Sequence, residues 1–231
     1  MLELLNHNGR VFAPVAIDSY QSNQWGSRAI TVVAIVVIAA FATLQPAPAL
    51  AQSSAKATTE TFVSQALEIL RDKQKPVVQK RRELKPLIEA RFDAREMARS
   101  ALGYHWRSLT PEERASFTRL FTAFIEAAYL DKVQDYAGQQ VQFGLSRALG
   151  EDYAAVDTSI AQSGKNPILV TYLLERTGDG WKVYDVAVAN ISIIANYRNQ
   201  FNRVINEHGF RTLMADLRAK QQQLGAELGE G

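Results

Sequence analysis

The chain has 231 residues, a formal net charge of +2 and no cysteine. A chain without thiols forms no disulfides, and Cys-ligated metal sites and thiol catalysis are excluded with them. Hydrophobic residues make up 47% of the sequence, so the chain has enough apolar surface to build a core by packing alone.

Residues 1–51 are predicted to be a signal peptide with a long n-region. An uncharged run of 16 residues follows Arg28 and ends at Leu44, and a small-residue A-x-A signature ends at Ala51. The alternative, a transmembrane anchor, normally needs about 20 apolar residues. Cleavage is therefore expected after Ala51, and the mature chain is expected outside the cytoplasm.

Residues 59–137 are predicted to be the helical part of the fold, after a polar linker at 52–58. Short basic helices are expected from Thr59, over about 76–90, and between an N-cap at Asp93 and a stop at Gly103.

The helix that follows Thr110 has the strongest signal. Thr110 and Glu113 have the spacing of a capping box, and Pro111 occupies the first helical position. Apolar residues, several of them Phe, then recur at helical spacing. We therefore expect a long helix with a wide aromatic stripe.

Residues 138–190 change to a period of about two, in four segments separated by short polar turns. Two closing helices are expected over 191–224, followed by a frayed tail at 225–231. Helices followed by a meander indicate an α+β fold, with a four-stranded, largely antiparallel, curved sheet and about seven helices in one domain over 59–224.

The third and fourth strands lack a polar face. In the third strand Ile168 and Val170 lie on one side, and Leu169 lies on the other. An antiparallel sheet with one side in water would alternate apolar with polar residues. Both faces of this sheet therefore need cover, either from helices or from an apolar ligand.

Groups that titrate or attack are few, which argues against an enzyme. Asp157 and Asp185 are expected on neighbouring strands, where they would form a general-base pair in a cone-fold enzyme. The structural alternative for Asp185 is a hydrogen bond to a turn or helix start, or a pairing with Arg198. Arg198 is also a candidate for binding a phosphate headgroup. No metal motif or cofactor motif is present.

Three segments together resemble the MlaC family of periplasmic phospholipid-binding proteins, also called the toluene-tolerance auxiliary component of an ABC transporter. They are FDAREMARSALGYHWRSLTPEERASFTRLFTAFIEAAY, VTYLLERTGDGWKVYDVAVANISIIANYRNQF and GFRTLMADLRAK. The resemblance runs from about Thr59 to Lys220. Ala189-Asn190 departs from it, because Glu-Gly would be expected there.

The resemblance implies a nuclear-transport-factor-like (NTF2-like) cone with a helical subdomain and a deep apolar cavity for acyl chains. It also implies a soluble periplasmic carrier that moves phospholipid between an outer-membrane lipoprotein–porin complex and an inner-membrane ABC transporter complex with a substrate-binding ring, maintaining outer-membrane lipid asymmetry. Bound phospholipid would be cargo, with no cofactor and no nucleic acid. A periplasmic adaptor that binds no lipid is the remaining alternative.

The predicted cavity lining combines apolar residues of the long helix, the strands and the last helices. It comprises Phe121, Phe124, Ile125, Tyr129, Val141, Phe143, Val170, Tyr172, Tyr184, Val186, Val188, Ile194, Tyr197 and Phe201. The opposite face of the fourth strand, with Trp181 and Val183, is the rival lining.

Residues 71–119 are predicted to be a docking surface. They contain 13 Lys or Arg against 7 Asp or Glu, and Arg81 and Arg82 are the candidate contact residues. Such a basic stretch suits an anionic membrane or an acidic partner protein. The alternative is a set of solvated helix faces.

Overall fold

The computed structural model describes residues 47–130, 138–162 and 165–227. These ranges contain six α-helices, a short 3-10 helix at Gly103–Ser108 and five strands. The helices are α1 Ala47–Arg71, α2 Val77–Arg91, α3 Ala94–Leu102, α4 Pro111–Leu130, α5 Ile193–His208 and α6 Phe210–Glu227. The strands are β1 Val141–Ala148, β2 Tyr153–Gln162, β3 Lys165–Thr177, β4 Gly180–Val188 and β5 Ile191–Ser192.

The α+β class is confirmed, and two counts are corrected. The sheet has five strands instead of four, and the described ranges hold six α-helices instead of about seven. The fifth strand was missed because Ile191–Ser192 has only two residues, too few for an alternating pattern. The cone-like relation to nuclear transport factor stays a prediction.

The predicted helix ends at α3 and α4 are confirmed by their capping contacts. The Glu96 backbone N–H donates to Asp93 at 2.8 Å, and Gly103 ends α3 with a φ of 56°. At α4 the capping box closes in both directions. The Thr110 N–H donates to the Glu113 carboxylate at 2.9 Å, and the Glu113 N–H donates to the Thr110 hydroxyl at 3.2 Å.

The first and last helices are longer than expected. α1 begins at Ala47 and therefore covers the linker predicted at 52–58 and the predicted cleavage site. Residues 49–71 contain no Gly or Pro to stop a helix, Pro48 lies in the first turn where proline is tolerated, and Ala55 is fully buried against the sheet. α6 continues to Glu227, so 225–227 are helical. The leader before 47 and the segments 131–137 and 228–231 lie outside the described residues.

The sheet is an antiparallel meander in the order β1-β2-β3-β4-β5. The long strand β3 lies at its centre and pairs with β2 on one side and β4 on the other. The prediction that Asp157 and Asp185 lie on neighbouring strands is therefore wrong, because β3 separates β2 from β4.

A β-bulge in β4 changes which residues share a face. Leu173 pairs with Asp185, but the next residue, Leu174, pairs with Val183, so Tyr184 is an extra residue on β4. Residues opposite each other in a sheet project to the same side. Val183 and Val186 therefore lie on the same face, although simple alternation placed them on opposite faces.

The apolar interior is divided between a helical unit and a sheet unit. The helical cluster is formed by α3 to α6, and its fully buried members include Leu102, Phe117, Phe121, Phe124, Tyr197, Phe201, Leu213 and Leu217. The sheet unit packs one face of the sheet, here called the inner face, against residues of α1 and α2, including Phe62, Val63, Leu67 and Leu87.

Candidate functional site

The inner face is a continuous apolar surface that crosses all four long strands. Paired positions in the register place these residues on it: Val141, Phe143, Ala154, Val156, Thr158, Val170, Tyr172, Leu174, Val183, Val186 and Val188. The part of the inner face formed by the paired residues Ala154, Leu174 and Val183 is at most 1% exposed. Towards β1, Val141 and Phe143 are only partly buried and pack against α1. The apolar surface is thus closed at one end and accessible at the other.

Three aromatic rings connect the inner face to the helices that cover it. Phe62 of α1 contacts Phe92 and Tyr172 edge to face, with ring centroids 5.6 Å and 6.4 Å away. Burial among these groups desolvates the Tyr172 hydroxyl and raises its pKa to about 12. The Tyr172 side chain nevertheless remains partly accessible. The Tyr172 hydroxyl is thus shielded from water although part of the side chain can be reached, as expected for a residue on a recessed apolar surface.

The opposite, outer face carries Asp157 in a set of paired contacts. Arg147 forms an ion pair with the Asp157 carboxylate, and the Thr171 hydroxyl donates to it at 2.8 Å. Both partners come from neighbouring strands. Asp157 is therefore held by a cation and a hydroxyl on the outer face, away from the apolar surface.

Asp185 ties the end of the sheet to the start of α5. Its carboxylate accepts hydrogen bonds from the Ser192 hydroxyl, the Val186 N–H at 2.8 Å and the Ile194 N–H at 3.1 Å. Ser192 in turn caps α5 by accepting from the Ala195 N–H. Burial raises the pKa of Asp185, while the hydrogen bonds from Ser192, Ile194 and Val186 oppose that rise.

Arg198 lies on the exposed side of α5 and approaches the end of α3. A Cβ placed on Gly103 would meet the Arg198 Cδ at 3.2 Å, so the arginine stem packs directly over the glycine. Its charge also lowers the pKa of Asp185, though less than the hydrogen bonds do. Both residues thus contribute to the junction between β4, α5 and α3.

A profile of the MlaC protein family matches residues 60–219. The chain belongs to the MlaC family. A curated relative, the intermembrane phospholipid transport system binding protein MlaC of Haemophilus influenzae, is 28% identical over 127 residues, which are 53% of this chain and 59% of the relative. That match therefore spans less than two thirds of the relative's length.

A solved structure gives an independent comparison of the fold. The phospholipid-binding protein from Ralstonia solanacearum, in complex with a phospholipid, superposes with a TM-score of 0.67 at 24% identity. The match covers 74% of this chain and 99% of that chain. At this identity the likeness shows that the two proteins share a fold.

The structure of this MlaC-family chain divides the predicted lining into two groups. Val141, Phe143, Val170, Tyr172, Val186 and Val188 lie together on the inner face. Phe121, Phe124, Ile125, Tyr129, Ile194, Tyr197 and Phe201 belong to the helical cluster. Tyr184, the extra residue of the bulge, instead packs edge to face against Tyr153 with centroids 5.8 Å apart.

The helical group is packed ring against ring. Tyr197 lies 5.8 Å from Phe121, 5.4 Å from Phe124 and 5.6 Å from Phe201, measured between ring centroids. Phe121, Tyr197 and Phe201 are at most 1% exposed. Burial raises the pKa of the Tyr197 hydroxyl, and the neighbouring Tyr129 adds to that rise.

Sequence reasoning missed the residues that cover the inner face, and it separated two that lie on it. Phe62 and Val63 lie in the helix expected from Thr59 and Phe92 follows the next helix, but nothing in the sequence said which surface they would cover. Trp181 and Val183 were assigned to a rival face because the bulge at Tyr184 has no sequence signature. In the structure they join the same apolar cluster as Leu174.

The charged candidates have different environments. Arg81 is only 7% exposed, so Arg82 is the member of that pair that lies on the surface. Within the described ranges, no group of three or more acidic or histidine side chains is arranged to hold a metal ion. Every helix in that part of the chain is too short or too polar to cross a bilayer.

Proposed function

We propose that this chain is a periplasmic phospholipid carrier that binds the acyl chains of its cargo against the inner face of the sheet. The observation that carries the proposal is the continuous apolar face, which is accessible along β1 and covered by α1. Family membership supports it, as do the phospholipid-transport name of the Haemophilus influenzae relative and the phospholipid bound to the Ralstonia solanacearum protein.

The energetic requirement on such a carrier is large. Two acyl chains contain roughly 30 methylenes, and at ~0.8 kcal/mol each their exposure to water costs on the order of 20 kcal/mol. Contacts with a headgroup are worth far less, so the apolar surface has to be long and nearly closed. An apolar face that crosses four strands has the extent that this requires.

We assign the two groups of predicted lining residues different parts in this function. The inner-face group contacts the chains, because these residues are partly accessible at the open end. The helical group forms the wall behind the junction, because its rings are fully packed against one another. Asp185 and Arg198 hold the junction between these parts, and neither has a catalytic role.

The proposed route runs between an outer-membrane lipoprotein–porin complex and an inner-membrane ABC transporter complex, in support of outer-membrane lipid asymmetry. This part follows from the resemblance to the MlaC family. The basic helices within 71–119 are the proposed docking surface, with Arg82 exposed on it. Charge reversal at Arg82 is expected to slow lipid transfer to the partner complexes without reducing bound cargo.

Mass spectrometry of an organic extract of the freshly purified mature protein tests the proposal directly. We expect phospholipid at a fixed stoichiometry, with no dependence on Asp157 or Asp185. A small polar ligand together with turnover lost in Asp185→Asn would indicate an enzyme. An extract without any ligand, combined with binding to partner proteins, would indicate an adaptor.

A matched pair of substitutions tests the assigned face. Val186→Glu places a charge on the inner face and is expected to reduce bound phospholipid strongly, because a carboxylate is expensive to desolvate against acyl chains. Leu169→Glu places the same charge on the outer face, where Leu169 is already 37% exposed. It should leave the lipid content unchanged. Equal lipid content in the two variants would place the acyl chains elsewhere.

A further inference from the structure

The corner between α1 and α2 combines exposed apolar residues with a high positive charge. This basic corner is defined as residues 71–83, which carry six basic and two acidic residues, a net charge of +4. Val77 and Val78 begin α2 and are 36% and 56% exposed. They are adjacent at the start of α2, directly after the connection from α1, whereas the other Val residues whose burial is described are at least partly buried.

Three hydrogen bonds hold the basic corner in its conformation. The Asp72 carboxylate accepts from the Gln74 N–H at 2.9 Å, and Lys75 donates to Glu83 at 2.6 Å. Lys80 donates to the Leu70 carbonyl at 2.6 Å, which satisfies an acceptor at the end of α1. These contacts fix the two valines at the start of α2.

We propose that the basic corner is a contact site for an anionic lipid bilayer, with Val77 and Val78 entering the headgroup region and the surrounding cations binding lipid phosphates. An acidic protein surface would match the charge alone, whereas a bilayer interface would match both the charge and the two exposed valines. A bilayer interface supplies anionic groups at its surface and an apolar layer directly beneath them. Lys73 and Arg82, both exposed, flank the valines and supply the electrostatic part.

This inference goes beyond the proposed cargo function and does not depend on it. The corner lies at the ends of α1 and α2, and its exposed side chains are separate from the inner face. A protein that carried no lipid would still bind bilayers through it. Conversely, a carrier whose corner did not bind bilayers would still hold cargo.

Vesicle flotation tests the charge component. The mature chain is expected to bind vesicles of phosphatidylglycerol and phosphatidylcholine, and to bind pure phosphatidylcholine much more weakly. At about five-fold per cation near an anionic surface, Lys73→Glu with Arg82→Glu should weaken binding at least 25-fold. The control, Arg203→Glu with Arg218→Glu, makes the same charge change on exposed residues of α5 and α6 and should change binding far less.

A fluorescent label tests the apolar component, because the chain has no cysteine of its own. An environment-sensitive dye on Val78→Cys is expected to shift its emission to the blue on adding anionic vesicles. The same dye on Leu149→Cys, 52% exposed in the β1–β2 turn, should not shift. Equal shifts at both sites, or none at either, would overturn the insertion of this corner.

Two further outcomes distinguish a bilayer from an acidic protein at the basic corner, and the corner proposal from the cargo proposal. One outcome is that the wild-type protein does not bind anionic vesicles, while the Lys73/Arg82 double reversal weakens binding to a partner protein. The corner would then bind an acidic protein, and the bilayer proposal would be overturned. Phospholipid content measured in the same variants reports on the cargo proposal alone. We expect it to be unchanged by every substitution at the corner.

Discussion

The helical cluster and the inner face of the sheet are built from the same kinds of residue, but they are closed to different degrees. In the helical cluster Phe117, Phe121 and Phe201 pack as edge-to-face or stacked pairs and are at most 1% exposed. On the inner face Phe143 and Tyr172 remain partly accessible beneath α1. Closure, more than hydrophobicity, distinguishes a region that stabilises the chain from one that is available to an apolar ligand.

The largest expected effect is on stability, and it comes from the same Phe-to-Ala substitution made once in each region. Phe121→Ala should lower the free energy of unfolding by about 3–5 kcal/mol, because it leaves a cavity in a filled cluster. Phe143→Ala should cost only roughly 1–2 kcal/mol, because its ring is partly exposed before the change. Urea denaturation of the two variants measures this difference.

Lipid content should rank these two variants in the opposite order. Bound phospholipid per protein is expected to fall in Phe143→Ala and to stay near the wild-type value in Phe121→Ala, measured below the unfolding transition. Lipid loss confined to Phe121→Ala would show that the acyl chains contact the helical cluster, which contains half of the lining residues predicted from the sequence.

The next effect concerns the junction between the two regions. Asp185→Ala removes the acceptor for the Ser192 hydroxyl and the Ile194 N–H, and should destabilise the chain by about 1–3 kcal/mol. Asp185→Asn keeps a side-chain oxygen and should cost less than half as much. Thermal unfolding of both variants provides the measurement. An equal loss in the two variants would mean that the charge, which both of them remove, and not the hydrogen bonds stabilises this junction.

A pH-dependent effect is expected where α3 meets the sheet. Desolvation, with Glu96 and Asp93 nearby, raises the pKa of Glu175 to about 7. The folded state therefore holds this proton more tightly than the unfolded state. Its contribution to stability is complete below the unfolded pKa, near 4.3, and is lost as the pH rises through 7.

Glu175→Gln should remove that loss. The melting temperature of the variant is expected to match the wild type at pH 5 and to exceed it at pH 8. Glu151→Gln, at an exposed position in the β1–β2 turn, is the control and should show no such change with pH. A Glu175→Gln difference that is the same at both pH values would show that this carboxyl does not titrate in the interval.

The smallest effect concerns the turn between β4 and β5. Ala189 and Asn190 have φ of 49° and 66°, a left-handed conformation that costs an alanine about 1–2 kcal/mol. Ala189→Gly should therefore stabilise the chain by about 0.5–1 kcal/mol after the entropic cost of glycine. Ala187→Gly, within the regular part of β4, should have the opposite sign. Chemical denaturation of both variants distinguishes strain relief from a general glycine effect.

Local signals in the sequence predicted the local structure well. The caps at Asp93 and Thr110, the stop at Gly103 and the long strands all follow from residue types that act on their immediate neighbours. The resemblance to the MlaC family singled out Ala189-Asn190 as a departure from an expected Glu-Gly, and both residues have positive φ. These features depend on contacts only a few residues apart.

Features that depend on distant contacts were not predictable in the same way. Helix α1 extends through the expected linker because Ala55 packs against strands about a hundred residues later in the chain. The lining residues were chosen by apolar content, which does not say whether a helix face packs against other helices or covers a sheet. Alternation counts residues along one strand, so it assigned Trp181 and Val183 to the wrong side of a bulge that only strand pairing reveals.

The bulge at Tyr184 has a consequence for sequence change at this point in the chain. Deleting Tyr184 would restore regular pleating, because Val183 would then stand two positions before Val186 and keep its place opposite Leu174 on the inner face. Substituting Tyr184 by a small residue removes the edge-to-face contact of its ring with Tyr153. The chain can therefore lose the residue between 183 and 185 without moving Trp181 or Val183 off the inner face.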